Sequence, residues 1–302
     1  MIGGDDTARA AMEINTAAKR LGYDLVCLHV AKTIDNDLLK VGKDGRIYHD
    51  HTPGFGSAVL YIVQAAHHLQ KDLGSFHPGR VLVLGTMGRH NGSLAASSAV
   101  LKNSQSDGPH IVLVPEKEFN FEEFAADAKE KYNAFGKLLI VVSEGVSTNH
   151  EGKKRLLADL FGGSGGTDSF GNFQLSRRNN MFDSLAQVAE QATGAKDVIS
   201  MNLSYLQRAP LGIVSTVDSY EAERMGIEAV QYAFDGVREG SVALLPVSQQ
   251  NDGRITHIVP LDEVGAKKSH MPLEFLDDAP DGCGINVARI KEYVLPLIGG
   301  AG

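Results

Sequence analysis

The chain has 302 residues, 43% of them hydrophobic and 22% charged, a length that at roughly 100–200 residues per domain predicts two domains with substantial cores. Its 29 basic and 37 acidic residues leave a formal net charge of −8, so no excess of positive charge is available to grip nucleic acid or an anionic membrane. The two cysteines, Cys27 and Cys283, form no C-x-x-C pair; this argues against a disulfide framework or a cysteine zinc site and fits a cytoplasmic protein, while no apolar run approaches the ~20 residues of a membrane span.

Met1-Ile-Gly-Gly-Asp-Asp-Thr7 reads as a turn from strand to helix, with only Met1 and Ile2 left for a strand that normally runs about 5–6 residues. The chain is therefore expected to start inside an element, N-terminally truncated and without a signal peptide. After it the pattern places a helix at 8–21 stopped by Gly22, a strand at 25–30, a helix at 56–73, strands at 81–84 and 111–114, and a helix at 121–135. A strand at 138–142, a helix at 179–193, a strand at 198–203, a helix at 219–238 and strands at 243–246 and 255–259 follow. Apolar runs bounded by glycine or proline and alternating with helices indicate an α/β protein with mainly parallel sheets. The segment 152–180 reads as the one long irregular stretch.

Gly3-Gly4, between strand and helix, would bring backbone N–H groups up to an anion at the positive end of the helix dipole. Such a turn alone is as often structural as functional. Asp5 and Asp6 add two carboxylates, either of which could cap the helix, but which together at a phosphate turn suggest Mg²⁺. Lys32-Thr-Ile-Asp-Asn-Asp37 directly follows the strand at 25–30, and in an open parallel sheet such loops build the ligand crevice. One strand–helix unit separates the two clusters, so neighbouring strand ends should aim Asp5, Asp35, Asp37 and Lys32 at one place. Carboxylates for a metal, a base for a hydroxyl and a lysine for phosphate charge are what phosphoryl transfer requires.

Taken with Met87-Gly-Arg89, Val114-Pro-Glu116, Ser143-Glu-Gly145 and Leu206-Gln-Arg208, in this order and spacing, the sequence resembles the phosphofructokinase family from residue 1 to about residue 270. The resemblance implies two Rossmann-like domains, the first incomplete because family members carry a further stretch before this point. Residues 1–56 and 208–270 would form the phosphoryl-donor domain, 57–207 the fructose 6-phosphate domain and 271–302 a C-terminal tail. Asp6 and Lys32 match the pyrophosphate-dependent branch, where ATP-using members have glycine for Asp6. A carboxylate there would face the α-phosphate of ATP, and like charges 4 Å apart at an effective dielectric near 20 repel by roughly 4 kcal/mol, about a thousandfold in binding.

Carried across, the resemblance makes Asp35 the base on the C1 hydroxyl of fructose 6-phosphate, assisted by Lys32 and Asp6. Asp5 would hold Mg²⁺ with Asp37 as helper, and Gly3, Gly4, Asp6 and Lys32 would bind the donor. Thr33, Asp35, Met87, Gly88, Arg89, Glu144, Tyr205 and Arg208 would line the sugar-phosphate site, with Arg80 reaching the 6-phosphate across a subunit interface of a homo-oligomer, dimer or tetramer. The implied reaction is reversible and serves glycolysis and gluconeogenesis. Three departures stand out: Tyr205 replaces a common histidine, Ile199 falls where a second arginine is expected, with Lys196 or Arg177-Arg178 as substitutes, and Ala209-Pro210 replaces Gly-Gly. An ATP-dependent kinase and a non-catalytic subunit or fragment of the same family are the alternatives; the second would be expected to lose Asp5, Asp35, Asp37, Arg89, Glu144 or Arg208. Gly162-x-Ser164-x-Gly166 spells a hydrolase elbow but lacks the flanking strand and helix, and His67-His68 face different directions on a helix and make no zinc pair.

Overall fold

The computed structural model describes residues 1–38, 48–76, 79–161, 180–246, 254–265, 268–277, 279 and 282–299. Along them run β1 (Ile2–Gly3), α1 (Asp5–Arg20), β2 (Cys27–Ala31), α2 (Phe55–Leu73), β3 (Val81–Thr86), α3 (Ser93–Ser97), β4 (Ile111–Leu113), α4 (Phe121–Phe135), β5 (Leu138–Ser143), β6 (Ser147–His150) and β7 (Lys153–Leu156). Then come α5 (Leu157–Leu160), α6 (Asn180–Thr193), β8 (Val198–Asn202), α7 (Thr216–Phe234), β9 (Glu239–Leu244), β10 (Thr256–Val259), α8 (Leu261–Val264) and α9 (Val287–Val294). The chain divides into two units, Met1–Ser57 with Val214–Ser269 and Leu297–Ala301, and Ala58–Ile213 with His270–Pro296.

In the first unit the sheet order is β1-β2-β9-β10, parallel except for the antiparallel β9–β10 pair. Met225, Ala229 and Tyr232 of α7 join Leu28, Val242, Leu244 and Val259 of the sheet in one core. The first helix begins at Asp5, three residues before the point where its apolar spacing starts. Gly4 is its N-cap, in extended conformation and without a side-chain cap, and Asp5 and Asp6 fill the first turn, where negative charge suits the helix dipole. The two aspartates are thus carried on a helix and not on a loose turn.

In the second unit the order is β4-β5-β3-β8, all parallel. Every residue of β3 and β5 is buried, which is why both read as unbroken apolar runs: a parallel strand covered on both faces has no solvent side to mark with polar residues. Phe182 of α6 lies over Gly85 of β3, where a Cβ would sit 2.6 Å from the ring.

Two expectations are corrected here. The segment 152–180 is not irregular throughout: β6 and β7 pair antiparallel across Glu151 and Gly152, both with positive φ, the geometry a tight hairpin demands, and α5 follows. Its charged residues Lys153, Lys154 and Arg155 are exposed, so no apolar period revealed the strand. The Gly162–Gly166 motif and Arg177-Arg178 lie outside the described residues. Nor is 271–302 a separate tail, since His270–Pro296 belongs to the second unit. Val112 N donates to Cys283 O at 2.8 Å, the buried Lys131 ammonium donates to Gly282 O at 2.6 Å, Lys291 Nζ to Lys102 O at 2.8 Å, and Ile290 and Val294 of α9 are buried. Among the described residues no helix is long and apolar enough to cross a membrane.

His110 sits beneath this segment, almost wholly buried. Its Nδ1 accepts from Leu139 N at 2.9 Å, which requires the neutral ring, and burial, followed by the charge of Lys102, lowers its pKa to about 4. A depressed folded pKa means stability that is present above the ordinary value near 6.5 and is lost as pH falls through 4, about 3 kcal/mol at 1.36 kcal/mol per pH unit. Thermal melts between pH 7.5 and 4 should show this loss, and His110→Asn, which keeps an acceptor but cannot titrate, should flatten the acid slope.

Candidate active site

In the first unit the strands β1 and β2 end side by side. Lys32 N donates to Gly3 O at 2.9 Å, and a Cβ on Gly4 would lie 3.4 Å from the Thr33 Cβ, so the glycine turn touches the Lys32–Asp37 loop directly. Beneath them His29 is fully buried, with Nε2 2.9 Å from Gly3 O and Nδ1 2.8 Å from Ser241 Oγ. A carbonyl only accepts, so Nε2 carries the proton and Nδ1 accepts from the serine. Burial holds this ring neutral, lowering its pKa to about 4 against the opposing Gly3 hydrogen bond.

The loop then turns sharply. Asp35 N donates to Thr33 Oγ1 at 3.1 Å, and Asn36 takes a left-handed φ of 55°, a conformation asparagine tolerates better than most residues. Burial, and after it the charges of Asp35 and Asp5, push the Asp37 carboxyl up to about 7, with Lys268 pulling the other way. Asp5, Asp35 and Asp37 therefore form one electrostatic cluster, and Lys268 Nζ stands 3.4 Å from Asp5 Oδ2. Asp6 is in the same helical turn as Asp5 but bonds to Arg9 Nη2 at 2.7 Å. Among the described residues no group of three or more His, Cys, Asp or Glu side chains is arranged to hold a metal ion.

In the second unit the site is built by close backbone approach. Met87-Gly88-Arg89 leaves the end of β3 and Glu144-Gly145 leaves the end of β5, its neighbour. Gly88 has φ 121°, Ser143 Oγ donates to Gly88 O at 2.6 Å, and Glu144 N donates to Thr86 O at 2.9 Å. A Cβ on Gly145 would lie 2.6 Å from the Arg89 carbonyl carbon and 2.8 Å from Gly88 O, so only glycine lets the loops pack. Glu144 is buried. The buried Arg89 Nε has no hydrogen-bond partner among the described residues, a donor left for an acceptor.

The turn 204–208 follows β8. Gln207, completely buried, accepts from Met87 N at 3.2 Å and donates to Ser204 O at 2.9 Å, tying the turn to the Met87 loop. Tyr205 is exposed, with the Arg208 guanidinium 5.4 Å from its ring centroid, and beyond Arg208 the backbone closes a turn from Ile213 N to Pro210 O at 3.0 Å. Arg80 lies at the other end of β3, bonded to Asp197 and, at 3.3 Å, to Asp72, with its guanidinium over the Phe76 ring. Ile199 pairs with Leu82 inside the sheet.

Several residues essential to this geometry were not singled out from sequence. Gln207 was visible only as the middle of a motif. His29, polar within an apolar strand, carried a signal that could have found it. Thr52 Oγ1, which donates to Thr33 O at 2.8 Å, and Asp218, which accepts from Gly54 N at 2.6 Å and Ser57 N at 3.0 Å, carried none.

A family model described as Phosphofructokinase matches residues 1–233. A Rhodospirillum rubrum protein named pyrophosphate--fructose 6-phosphate 1-phosphotransferase is 36% identical over 99% of this chain and 69% of its own length. One of the same name from Halomonas elongata is 33% identical over 99% of the chain and 66% of its own length. The crystal structure of a pyrophosphate-dependent phosphofructokinase from Marinobacter aquaeolei superposes with a TM-score of 0.78 at 29% identity, covering 100% of this chain and 67% of that one. The chain thus spans about two thirds of the length of these relatives.

The contact between the Arg89 and Gly145 loops sets a stability prediction. Gly145→Ala should destabilise the protein by about 1–3 kcal/mol, the usual range for overpacking a filled site. Gly226→Ala, in α7 with nothing within 4 Å of its Cβ position, should be neutral or stabilise by about 0.5–1 kcal/mol. Denaturant titrations of the two variants would check the contrast.

Proposed function

This chain belongs to the phosphofructokinase family, and we propose that its reaction is the transfer of a phosphoryl group from pyrophosphate to O1 of fructose 6-phosphate, giving fructose 1,6-bisphosphate and phosphate. The observation that carries the reading is the glycine turn held against the Thr33–Asp35 loop, with Asp5, Asp35 and Asp37 electrostatically coupled beside it, in a chain whose relatives bear that name.

Asp35 takes the proton of the C1 hydroxyl as its oxygen attacks the terminal phosphorus. The bridging P–O bond breaks, and inorganic phosphate leaves with its charge offset by Lys32. Gly3 and Gly4 offer backbone N–H groups at the start of α1 to the pyrophosphate. Asp6, one residue into that helix, disfavours the longer triphosphate of ATP by charge. Arg89, Arg208, Tyr205, Glu144, Thr33 and the Met87-Gly88 backbone hold the sugar phosphate, and guanidinium groups suit its dianion because they can bind bidentately. Arg80 contributes to the 6-phosphate of a neighbouring subunit in a homo-oligomer.

Mg²⁺ fits the residues present. Burial first, and then the neighbouring charges of Asp35 and Asp5, hold the Asp37 carboxyl above its ordinary range, so a cation beside these carboxylates would favour their ionised form, and Mg²⁺ is usually bound by one or two carboxylates together with substrate phosphate oxygens. Asp5, with Asp37 beside it, would hold the ion, which would neutralise charge developing on the transferring phosphoryl group. We place the reaction in the cytoplasm, which suits the free thiols Cys27 and Cys283, and read it as reversible, working in both glycolysis and gluconeogenesis.

Coupled assays with fructose 6-phosphate and either pyrophosphate or ATP test the donor: turnover is expected with pyrophosphate and little with ATP, and comparable rates would favour the ATP-dependent alternative. Asp35→Asn keeps the shape of the side chain but removes the proton acceptor. It should lower kcat by about 10²–10⁴ with little change in KM, and a normal kcat would move the role to another group.

A further inference from the structure

Residues 50–54, with the first turn of α2 to Ser57, form a strap in the first unit, and the reaction as described uses none of its side chains. Near its start His51 is 4% exposed, with Nδ1 2.8 Å from Asp50 Oδ2 and Nε2 2.7 Å from Glu221 Oε2 of α7. An ionised carboxylate can only accept a hydrogen bond, so a ring facing one on each side carries both protons and is an imidazolium. Asp50 N is itself anchored, donating to Leu244 O at the end of β9 at 3.1 Å.

The residues next to His51 grip the candidate catalytic loop. Thr52 Oγ1 donates to Thr33 O at 2.8 Å, Thr33 N donates to Pro53 O at 3.1 Å, and Thr33 pairs with Gly54 in an isolated bridge. Gly54 has φ 100°, and a Cβ there would lie 3.6 Å from the Thr33 carbonyl carbon. Asp218 pins the far side of the strap through Gly54 N, Ser57 N and the Ser57 hydroxyl. Thr33 in turn accepts the Asp35 N–H on its hydroxyl, so the height of the strap sets where Asp35 stands.

We propose that His51 is a positioning residue for Asp35: an imidazolium clamped between Asp50 and Glu221 holds the strap at the height from which Thr52 and Pro53 fix Thr33 and, through it, the base. The assignment rests on the reading of Asp35 as the base. Removing one member of a buried charged set leaves the others uncompensated, so loss of either ring proton would turn a nitrogen lone pair onto a carboxylate and loosen the strap. Burial alone would lower the pKa of His51, but the hydrogen bonds and charges of Asp50 and Glu221 outweigh it and raise the value to about 9. The nearest cation along α7, Arg224, is engaged with Glu228 at 2.9 Å.

The first test needs no turnover. In ¹⁵N spectra of the whole chain, both His51 ring nitrogens should stay protonated through pH 8 and titrate near 9, with the Thr33 and Asp35 amide resonances moving at the same midpoint. A ring titrating near 6.5, or amides that do not follow it, would overturn the proposal. The second test uses pyrophosphate and fructose 6-phosphate. Wild-type kcat should fall as pH rises through about 9, and Glu221→Gln, which keeps the side chain's shape, should shift that limb to lower pH. His51→Gln, which retains one donor, should lower kcat about 10–100-fold at neutral pH, as expected for a base displaced by up to about 1 Å, with KM for fructose 6-phosphate changed less than about threefold. A kcat limb that stays put in Glu221→Gln, or a KM rise without loss of kcat in His51→Gln, would overturn it. Absence of turnover in the wild type would count against the proposed reaction and leave the spectroscopic test of His51 decisive.

Discussion

A single carbonyl oxygen organises the first unit. Gly3 O accepts from Lys32 N and faces His29 Nε2, so the turn that ends β1 and the loop that ends β2 are joined through one atom and cannot move separately. Parallel pairing brings the C-terminal ends of both strands to the same end of the sheet, and the absence of a side chain on Gly4 lets the segments that follow them touch. The clustering of Asp5 with Asp35 and Asp37, from opposite ends of a strand–helix unit, follows from that contact. His29 supports it from below, Nε2–H donating to Gly3 O, and burial keeps the ring neutral so that Nδ1 accepts from Ser241.

The second unit reaches a comparable precision by different means. Its loops are held by backbone contact and by a buried amide, Gln207, and the ionic groups they carry are mainly cationic at their tips. The two units thus present opposite electrostatic characters: carboxylates of which one, Asp37, is kept from ionising by burial and then by its neighbours' charge, and a guanidinium donor, Arg89 Nε, with no acceptor among the described residues. The first character suits a divalent cation and a proton acceptor, the second a phosphate dianion.

Much of this was legible in the sequence, for identifiable reasons. The strands β3 and β5 are buried on both faces and so announce themselves as apolar runs, and the motifs around Asp35, Arg89 and Arg208 lie at strand ends, where the order of elements already places them. The start of α1 was missed because Gly4 offers no side-chain cap and Asp5-Asp6 reads as a polar turn. The β6–β7 hairpin was missed because the residues it buries in β6, Ser147 and Thr148, are polar, while Lys153, Lys154 and Arg155 of β7 are exposed, so no apolar alternation marks it. The supports of the candidate site were the least visible part. His51 meets Glu221, and Asp218 meets Gly54, only once the chain has folded back upon itself, and no local spacing records such a meeting.

The interlock of Met87–Arg89, Glu144-Gly145 and Gln207 has a consequence for how this site can change over evolutionary time. Each of the three loops rests on an atom of another: Gly145 on the Arg89 backbone, Ser143 on Gly88, Gln207 on Met87. A loop borrowed from a cousin with a different acceptor sugar would arrive with the wrong counterpart beside it. With these loops read as the proposed sugar-phosphate site, the inheritable unit of acceptor choice is the trio, exchanged whole or left alone, whereas an exposed side chain outside that site, such as Lys153 of the β6–β7 hairpin, is free to drift.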